Sequence, residues 1–308
     1  MNNRRTFIKQ TLISSIGLTI LNLFPFRSFA TNKKNYTKIT ILHTNDVHSH
    51  VEPFPSNDPK YSGLGGAARR ASLINKIRSE EKNVLLLDAG DIFQGTPYFN
   101  KYKGELDFKL MSLMQYDAAT IGNHDFDNGI EGFDKMLPYA KFPFVNANYD
   151  FTETVLKDKI HEHLIFLKDG IKIGVFGLGV ELDGLVDKKN YKKIIYKDPV
   201  PIANKIATYL KDTEKCQLVI CLSHLGYEHP SEKISDLILA KTTKNIDLII
   251  GGHTHTFLEI PTEIKNLTNK NTLINQVGWA GINLGRINFF IHNNKKDYFI
   301  KSENIRVE

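Results

Sequence analysis

The sequence predicts an α/β fold of layered sheets and helices, because apolar strand patterns alternate with helical patterns along most of its 308 residues. Several apolar runs are nearly continuous, which is typical of strands that are buried on both faces. The predicted strands are residues 39–43, 84–88, 118–121, 144–147, 171–178, 218–222 and 246–250, and the predicted helices are residues 66–79, 105–114, 130–139, 200–211 and 231–241.

The last forty residues have a different pattern. Strand-like runs at 272–277, 286–292 and 298–306 follow one another without helices, and an Asn-Asn-Lys-Lys turn separates the last two. This spacing predicts antiparallel strands that extend or cover a sheet. Since the sequence contains no repeat and no low-complexity tract, we expect one domain over residues 39–308.

The first thirty residues have the composition of an export signal. Arg4-Arg5 is followed by an uncharged apolar run over residues 11–26. The paired arginines resemble the twin-arginine export motif, so residues 1–30 are predicted to be a signal peptide and residues 31–38 a linker. The alternative is a retained membrane anchor, although the run is short for a spanning helix. Export predicts a periplasmic or extracellular protein that contacts the membrane only through an uncleaved signal.

The charge balance excludes one class of function. The formal net charge is +6, but the first thirty residues hold four basic residues and no acidic ones. The remaining chain therefore has a net charge of only +2. Because it also lacks a basic stripe with interleaved aromatic residues, we do not expect it to bind nucleic acid.

Five predicted strands run directly into clusters of metal-binding residue types, each at the carboxyl end of its strand. Open α/β sheets place their sites at this edge. An Asp and a His two residues apart reach the same region from one turn, and neighbouring glycines let the backbone approach closely. The clusters are Asn45-Asp46-Val47-His48, Gly90-Asp91, Gly122-Asn123-His124-Asp125, Ser223-His224 and Gly251-Gly252-His253-Thr254-His255.

With these five motifs in this order, the chain resembles the calcineurin-like metallophosphoesterases, and among them the catalytic domain of bacterial 5'-nucleotidases. The resemblance also includes Phe126 and Asp127 after the third cluster and covers nearly all of residues 39–308. It implies a layered α-β-β-α sandwich and a centre with two divalent metal ions. Two cations roughly 3.5–4 Å apart can activate a water and neutralise phosphate charge for an in-line attack on phosphorus.

The resemblance also implies which residues hold each metal. Asp46, His48 and His255 would bind one ion, and Asp91 would bridge both ions. The second ion would be bound by Asn123, His224 and His253. This mixture of oxygen and imidazole ligands favours Mn, Zn, Fe or Co over Ca or Mg.

The resemblance assigns catalytic roles to His124 and Asp127, with the imidazole stabilising the transition state and protonating the leaving group. Asp88 is predicted to support the site from behind the ligands, and Asp125 to face solvent or brace its turn. Scattered polar residues usually have no catalytic role. The six remaining histidines are therefore predicted to be structural or superficial: His43, His50, His161, His163, His229 and His292.

The leading hypothesis is an exported phosphoesterase that hydrolyses phosphate esters of nucleotides. Close alternatives on the same ligands are a 2',3'-cyclic nucleotide phosphodiesterase and a nucleotide-sugar diphosphatase. More distant alternatives are a sulfur-oxidation hydrolase and a non-catalytic metal-binding or partner-binding protein. Full-length periplasmic 5'-nucleotidases carry a second domain that selects the substrate, so we hypothesise a separately encoded specificity domain as a partner.

Overall fold

The computed structural model describes residues 36–292, 294 and 297–308. The predicted signal peptide at 1–30 and the first part of the predicted linker lie outside the described residues. None of the helices in the described part of the chain is long and apolar enough to cross a membrane.

Thirteen strands and seven α-helices make up the described chain. The strands are β1 Tyr36–Thr44, β2 Val84–Asp88, β3 Ala118–Ala119, β4 Tyr149–Asp150, β5 His163–Lys168, β6 Ile171–Gly179, β7 Ile195–Tyr196, β8 Leu218–His224, β9 Leu248–Gly251, β10 Thr262–Lys265, β11 Asn271–Asn275, β12 Asn283–His292 and β13 Tyr298–Arg306. The helices are α1 Ala67–Glu80, α2 Pro97–Tyr102, α3 Glu105–Leu113, α4 Ile130–Met136, α5 Lys188–Tyr191, α6 Pro199–Thr208 and α7 Asp236–Thr242.

The strands form two main sheets. The first has the order β13-β12-β1-β2-β3, in which β1, β2 and β3 are parallel to one another. The second has the order β10-β11-β9-β8-β6-β5, in which β6, β8, β9 and β11 are parallel. Strands β4 and β7 form a separate small ribbon. Each main sheet therefore presents several carboxyl strand ends at one edge.

The side chains of β1 show how the layers are held together. Ile39 and Ile41 point between the sheets and pack with residues such as Ile220 of β8, whereas Leu42 points outward and packs with Ile74 of α1. Alternate residues of a strand point to opposite faces. One apolar face of β1 therefore packs against the second sheet, and the other packs against α1. A third cluster packs α6 and α7 on the outer face of the second sheet. The predicted layered α-β-β-α sandwich is confirmed.

Some predicted elements need correction. Strand β1 begins at Tyr36 instead of residue 39, because its first residues pair with β12, so residues 36–38 of the predicted linker belong to the sheet. Residues 144–147 form only isolated bridges and no strand. Among the C-terminal strands, β12 and β13 are antiparallel as predicted, but β11 runs parallel to β9. The reason is the unpredicted β10, which runs antiparallel to β11.

The helix boundaries differ for local reasons. The helix predicted at 231–241 begins at Asp236, because the side chain of Ser235 accepts a hydrogen bond from the backbone N–H of Ile238 and caps the helix there. The helix predicted at 200–211 begins at Pro199 and continues into a π-helix at Tyr209–Thr213.

Candidate metal centre

The predicted ligands lie at the carboxyl ends of parallel strands from both main sheets. Strands β1, β2 and β3 lead into the clusters at 45–48, 90–91 and 122–125. Strands β8 and β9 lead into the clusters at 223–224 and 251–255. Because the two sheets pack face to face, their polar strand ends meet at one edge of the sandwich.

The first group of potential ligands contains Asp46, His48, Asp91 and His255. One ligand atom of each residue lies within 4.8 Å of the others. The Nε2 atoms of His48 and His255 are 3.0 Å apart, and Nε2 of His255 is 3.5 Å from Oδ1 of Asp46. Carboxylate and imidazole atoms that converge on one point are what a transition-metal ion requires.

The second group contains Asp91, His224 and His253, whose ligand atoms also lie within 4.8 Å of one another. Nε2 of His224 is 3.1 Å from Oδ2 of Asp91. Asn123 joins this group, because its Oδ1 lies 2.8 Å from Nδ1 of His253. Asp91 is therefore shared by both groups, and all seven predicted ligands lie in one cluster.

Backbone carbonyls orient two of the histidines. Nδ1 of His48 lies 3.1 Å from the carbonyl oxygen of Phe93, and Nδ1 of His224 lies 2.7 Å from that of Ala89. A carbonyl only accepts hydrogen bonds, so each Nδ1 carries the proton. Nε2 of each ring faces the cluster, as is common for metal-binding histidines.

Burial and charge show that the cluster fits cations. Burial raises the pKa of Asp46 to about 8, because the charged carboxylate is removed from water. Burial lowers the pKa of His253 to about 3 and that of His255 to about 4, so both imidazoles are neutral near pH 7 and keep a lone pair. Bound cations would favour the charged carboxylates and use these lone pairs.

His224 supplies a second test of this fit. Burial by itself lowers its pKa, but the carboxylates of Asp91 and Asp46 outweigh that effect and raise it to about 10. Although Nε2 lies 3.1 Å from Asp91, it makes no hydrogen bond of good geometry and is fully buried. A buried ring nitrogen without a well-aligned partner, beside two carboxylates, is consistent with a metal ligand.

The backbone of the ligand loops is unusual. φ is 50° at Asp46, 51° at His48, 54° at Asp91, 73° at His253 and 52° at His255, all in the left-handed region. Such a conformation is costly for residues other than glycine and persists where the surrounding structure enforces it. Here the N–H of Asp46 donates to the carbonyl of Gly90, and that of His48 to the carbonyl of Asp91.

Asp125 holds the bridging loop in place. This buried carboxylate accepts hydrogen bonds from the backbone N–H groups of Gly122, Asp91, Ile92 and Phe93 at 2.7–3.1 Å. Of the two alternatives for Asp125, the structure therefore supports the brace. Asp88 is also buried, and it accepts hydrogen bonds from the Gly90 N–H and the Thr44 hydroxyl.

We expect Asp125→Ala to lower the free energy of unfolding by about 3 kcal/mol or more, because each buried donor left unpaired costs about 1–3 kcal/mol. Denaturant unfolding would measure the loss. Asp212→Ala removes an exposed carboxylate and is the matched control. Equal stability of the two variants would show that the four hydrogen bonds of Asp125 contribute little.

The predicted catalytic pair lies beside the cluster. Nδ1 of His124 is 2.8 Å from Oδ2 of Asp127, and the backbone N–H of His124 donates to Oδ1 of Asp91. The hydrogen bond to Asp127 raises the pKa of His124 above its ordinary value. The rings of His124 and His48 have centroids 5.3 Å apart. The imidazole is therefore adjacent to the ligands and about 38% exposed.

Two of the six remaining histidines lie next to the site. His229 approaches the ring of His253, and its Nε2 contacts the carbonyl of Leu225. His50 stacks on Phe54. His43, by contrast, is buried in β1, where Nε2 accepts a hydrogen bond from Asn275. Its pKa is lowered to about 3 by burial, so it is neutral.

Sequence reasoning missed an aromatic surface beside the ligands. Its members, which we call the aromatic rim, are His50, Phe54, Tyr61, Phe257 and Trp279. The ring of Trp279 stacks on His255 with centroids 5.7 Å apart and planes at 4°. The rim joins three distant segments of the chain, and no short motif in the sequence marks it.

Comparisons with known proteins agree with this geometry. The sequence profile of the family described as calcineurin-like phosphoesterase matches residues 39–257. The trifunctional nucleotide phosphoesterase protein YfkN of Bacillus subtilis (strain 168) is 35% identical over 281 residues, which cover 81% of this chain and 18% of that protein. The chain spans less than half the length of the curated relatives it matches.

Two solved structures are also similar. The 5'-nucleotidase precursor from Thermus thermophilus has a TM-score of 0.80 and 31% identity, over 88% of this chain and 55% of that one. The NAD nucleotidase (NadN) of Haemophilus influenzae has a TM-score of 0.76 and 28% identity, over 89% of this chain and 51% of that one. The similarity therefore extends over nearly the whole described chain.

Proposed function

Since the chain belongs to the calcineurin-like phosphoesterase family, we propose that it is a metal-dependent hydrolase that cleaves phosphate esters of nucleotides. The observation that carries this proposal is the pair of ligand groups that share Asp91. A nucleotide substrate is supported by the relatives, whose names include nucleotide phosphoesterase and nucleotidase. The chain's ligands are equally compatible with cyclic nucleotides and nucleotide sugars, which remain alternatives.

Two divalent ions, bridged by Asp91, would supply Lewis-acid activation of water and neutralisation of phosphate charge. Asp46, His48 and His255 would hold one ion, and the other would be held by Asn123, His224 and His253. The mixed oxygen and nitrogen ligands favour Mn, Zn, Fe or Co.

The chain's own proton donor is His124. Asp127 accepts from Nδ1 and stabilises the protonated ring, so Nε2–H is available to the substrate beside the ligands. This proton can stabilise a phosphoryl oxygen or pass to the departing ribose oxygen. The exposed side of the ring leaves room for the substrate, because the centre is open to solvent there.

Phosphate release from AMP and from p-nitrophenyl phosphate tests the proposal. The chain without residues 1–30 would be stripped with a chelator and reloaded with Mn²⁺. We expect both substrates to be hydrolysed after reloading and neither before it. A chain that binds two metal ions and hydrolyses neither compound would refute a single-chain nucleotidase, and hydrolysis of p-nitrophenyl phosphate alone would place specificity in a partner.

We expect Asp127→Asn to move the alkaline limb of the pH profile of kcat/KM to lower pH. The general acid must be protonated, and the carboxylate raises the pKa of His124, so it delays loss of the proton as pH rises. Profiles with AMP would measure the shift. The control is Asp134→Asn, which changes a carboxylate of α4 that forms an ion pair with Lys159. An alkaline limb that stays in place would contradict the proposed role of Asp127.

Export and a partner complete the proposal. We place the protein in the periplasm or outside the cell, through the twin-arginine-type signal at 1–30. Replacing Arg4 and Arg5 by lysine should then leave the precursor in the cytoplasm.

The relatives extend far beyond the matched region, so we propose that a separately encoded specificity domain docks over the open metal centre. Gel filtration of the protein purified from its native host would test this. If the protein elutes only as a monomer, the result would argue against the partner.

A further inference from the structure

The aromatic rim connects the metal centre to a cavity. From Trp279, which stacks on His255, the rim continues to Tyr61 with ring centroids 6.1 Å apart. Tyr61 in turn stacks on Phe257, with centroids 6.1 Å apart and planes at 24°. A continuous series of aromatic rings therefore extends outward from a predicted metal ligand.

The rings of Tyr61 and Phe257 form part of the wall of a cavity of about 570 Å³. This volume is within the range of small-molecule sites, roughly 300–1,000 Å³. The rest of the wall combines apolar side chains such as Leu64 and Ile282 with polar ones such as Asn283. Lys60 and Arg306 add positive charge, and Glu259 adds negative charge. Flat aromatic faces with a few polar groups suit a flat heterocycle that also has hydrogen-bonding edges.

The wall is held in a defined position. Phe257 forms an isolated bridge with Val277, and its ring lies so close to Gly278 that a Cβ at that position would clash with it. Asn304 donates a hydrogen bond to the carbonyl of Leu258. Phe257 is nevertheless 40% exposed, so part of its face is accessible to a ligand.

The distance to the metal centre suits a nucleotide. Phe257 follows the predicted ligand His255 by two residues, and two residues span at most about 7 Å. A ligand with its phosphate at the metal centre can therefore reach the rings with a group one sugar away. No part of the catalytic chemistry assigned to His124 and Asp127 uses this surface.

We propose that this cavity, with the faces of Tyr61 and Phe257, is a subsite of the chain itself for the heterocyclic base of the nucleotide. The inference rests on the proposed function for its orientation, since the phosphate is placed at the metal centre. It deepens that function, because it gives the catalytic chain its own contact with the base, in addition to those that the proposed specificity domain would make.

Comparison of AMP with ribose 5-phosphate tests the subsite separately from the chemistry. Both compounds have the same 5'-phosphate ester, and only AMP has a base. We expect kcat/KM to be about tenfold higher for AMP, and Phe257→Ala to remove most of that ratio while it leaves ribose 5-phosphate almost unaffected. Phe299→Ala is the matched control, because Phe299 is similarly exposed, at 46%, and lies outside the rim.

Fluorescence gives a readout that does not depend on hydrolysis. Trp279 is the chain's single tryptophan, and it contacts the ring of Tyr61. We expect adenosine, which has no phosphate, to change its emission with saturation, and about tenfold more adenosine to be needed with Phe257→Ala. Phe257→Leu retains apolar volume without the aromatic face, so it should show the same loss if Phe257→Ala fails to fold.

The outcomes separate the two proposals. If adenosine binds but neither ester is hydrolysed, the subsite stands and the proposed hydrolase fails. If both esters are hydrolysed at equal kcat/KM and adenosine leaves the fluorescence unchanged, the hydrolase stands and the subsite is overturned. If Phe257→Ala changes only the binding of a partner domain, the cavity is a docking surface and the subsite is likewise overturned.

Discussion

Asp91→Asn is expected to lower kcat/KM for AMP by at least about a thousandfold, since the Lewis-acid contribution of the metal ions is worth several kcal/mol and each 1.36 kcal/mol is tenfold. Asp91 is the residue that belongs to both ligand groups. Asparagine keeps an oxygen that can accept the hydrogen bond from the backbone N–H of His124, so the loop is expected to remain folded. The variant loses the negative charge that Asp91 would contribute to both ions.

Kinetics and metal content measured on the same preparation would test this prediction. Asp88→Asn is the matched control, because the same substitution is made in a buried carboxylate three residues away that lies outside both ligand groups. The control is expected to keep its metal ions, although it can lose stability. An Asp91→Asn protein that binds two ions and keeps activity within tenfold of the wild type would refute the bridging assignment.

His124→Asn is expected to have an effect that depends on the leaving group. A general acid contributes roughly 10²–10⁴-fold, and this help matters most when the departing oxygen is strongly basic. We therefore expect a loss of that size for AMP, whose leaving group is an alcohol. The loss should be about tenfold or less for p-nitrophenyl phosphate, because p-nitrophenolate departs without a proton.

Steady-state kinetics with both substrates would measure this difference. His161→Asn, which replaces an exposed histidine, serves as the control and should change neither rate. An equal loss for the two substrates would mean that His124 stabilises charge on the phosphoryl group and does not protonate the leaving group.

The ligand clusters were predictable because each is local in the sequence. A strand of β-branched and apolar residues followed by Asp, Asn or His is visible in one short segment, as with β2 and Gly90-Asp91. Parallel strands in layered sheets bring their carboxyl ends to one edge, so separate segments converge without further information. The contact between His124 and Asp127 is local as well, since the two residues are three apart in the chain.

Local propensity was insufficient where pairing decides the structure. Residues 144–147 have the composition of a strand, but their backbone finds only isolated bridges. Strand β5 was not predicted, yet it pairs along its length with β6. The orientation of β11 depended on β10. That strand has only four residues, and its alternation of apolar and polar residues is too short to predict a strand. Strand formation depends on partners that are distant in the chain, so these errors are of one kind.

The sequence by itself determined the class of fold and the five strand-end clusters, because both follow from patterns within a few residues. The assignment of seven ligands and a catalytic pair within those clusters is what the resemblance to a known family implies. The tertiary structure alone decided between the two predicted roles of Asp125, which braces the loop through four backbone N–H groups. It also decided that Tyr61, Phe257 and Trp279 form one surface. The physical reason is that hydrogen bonds and ring contacts between remote segments depend on positions in space, which no local pattern records.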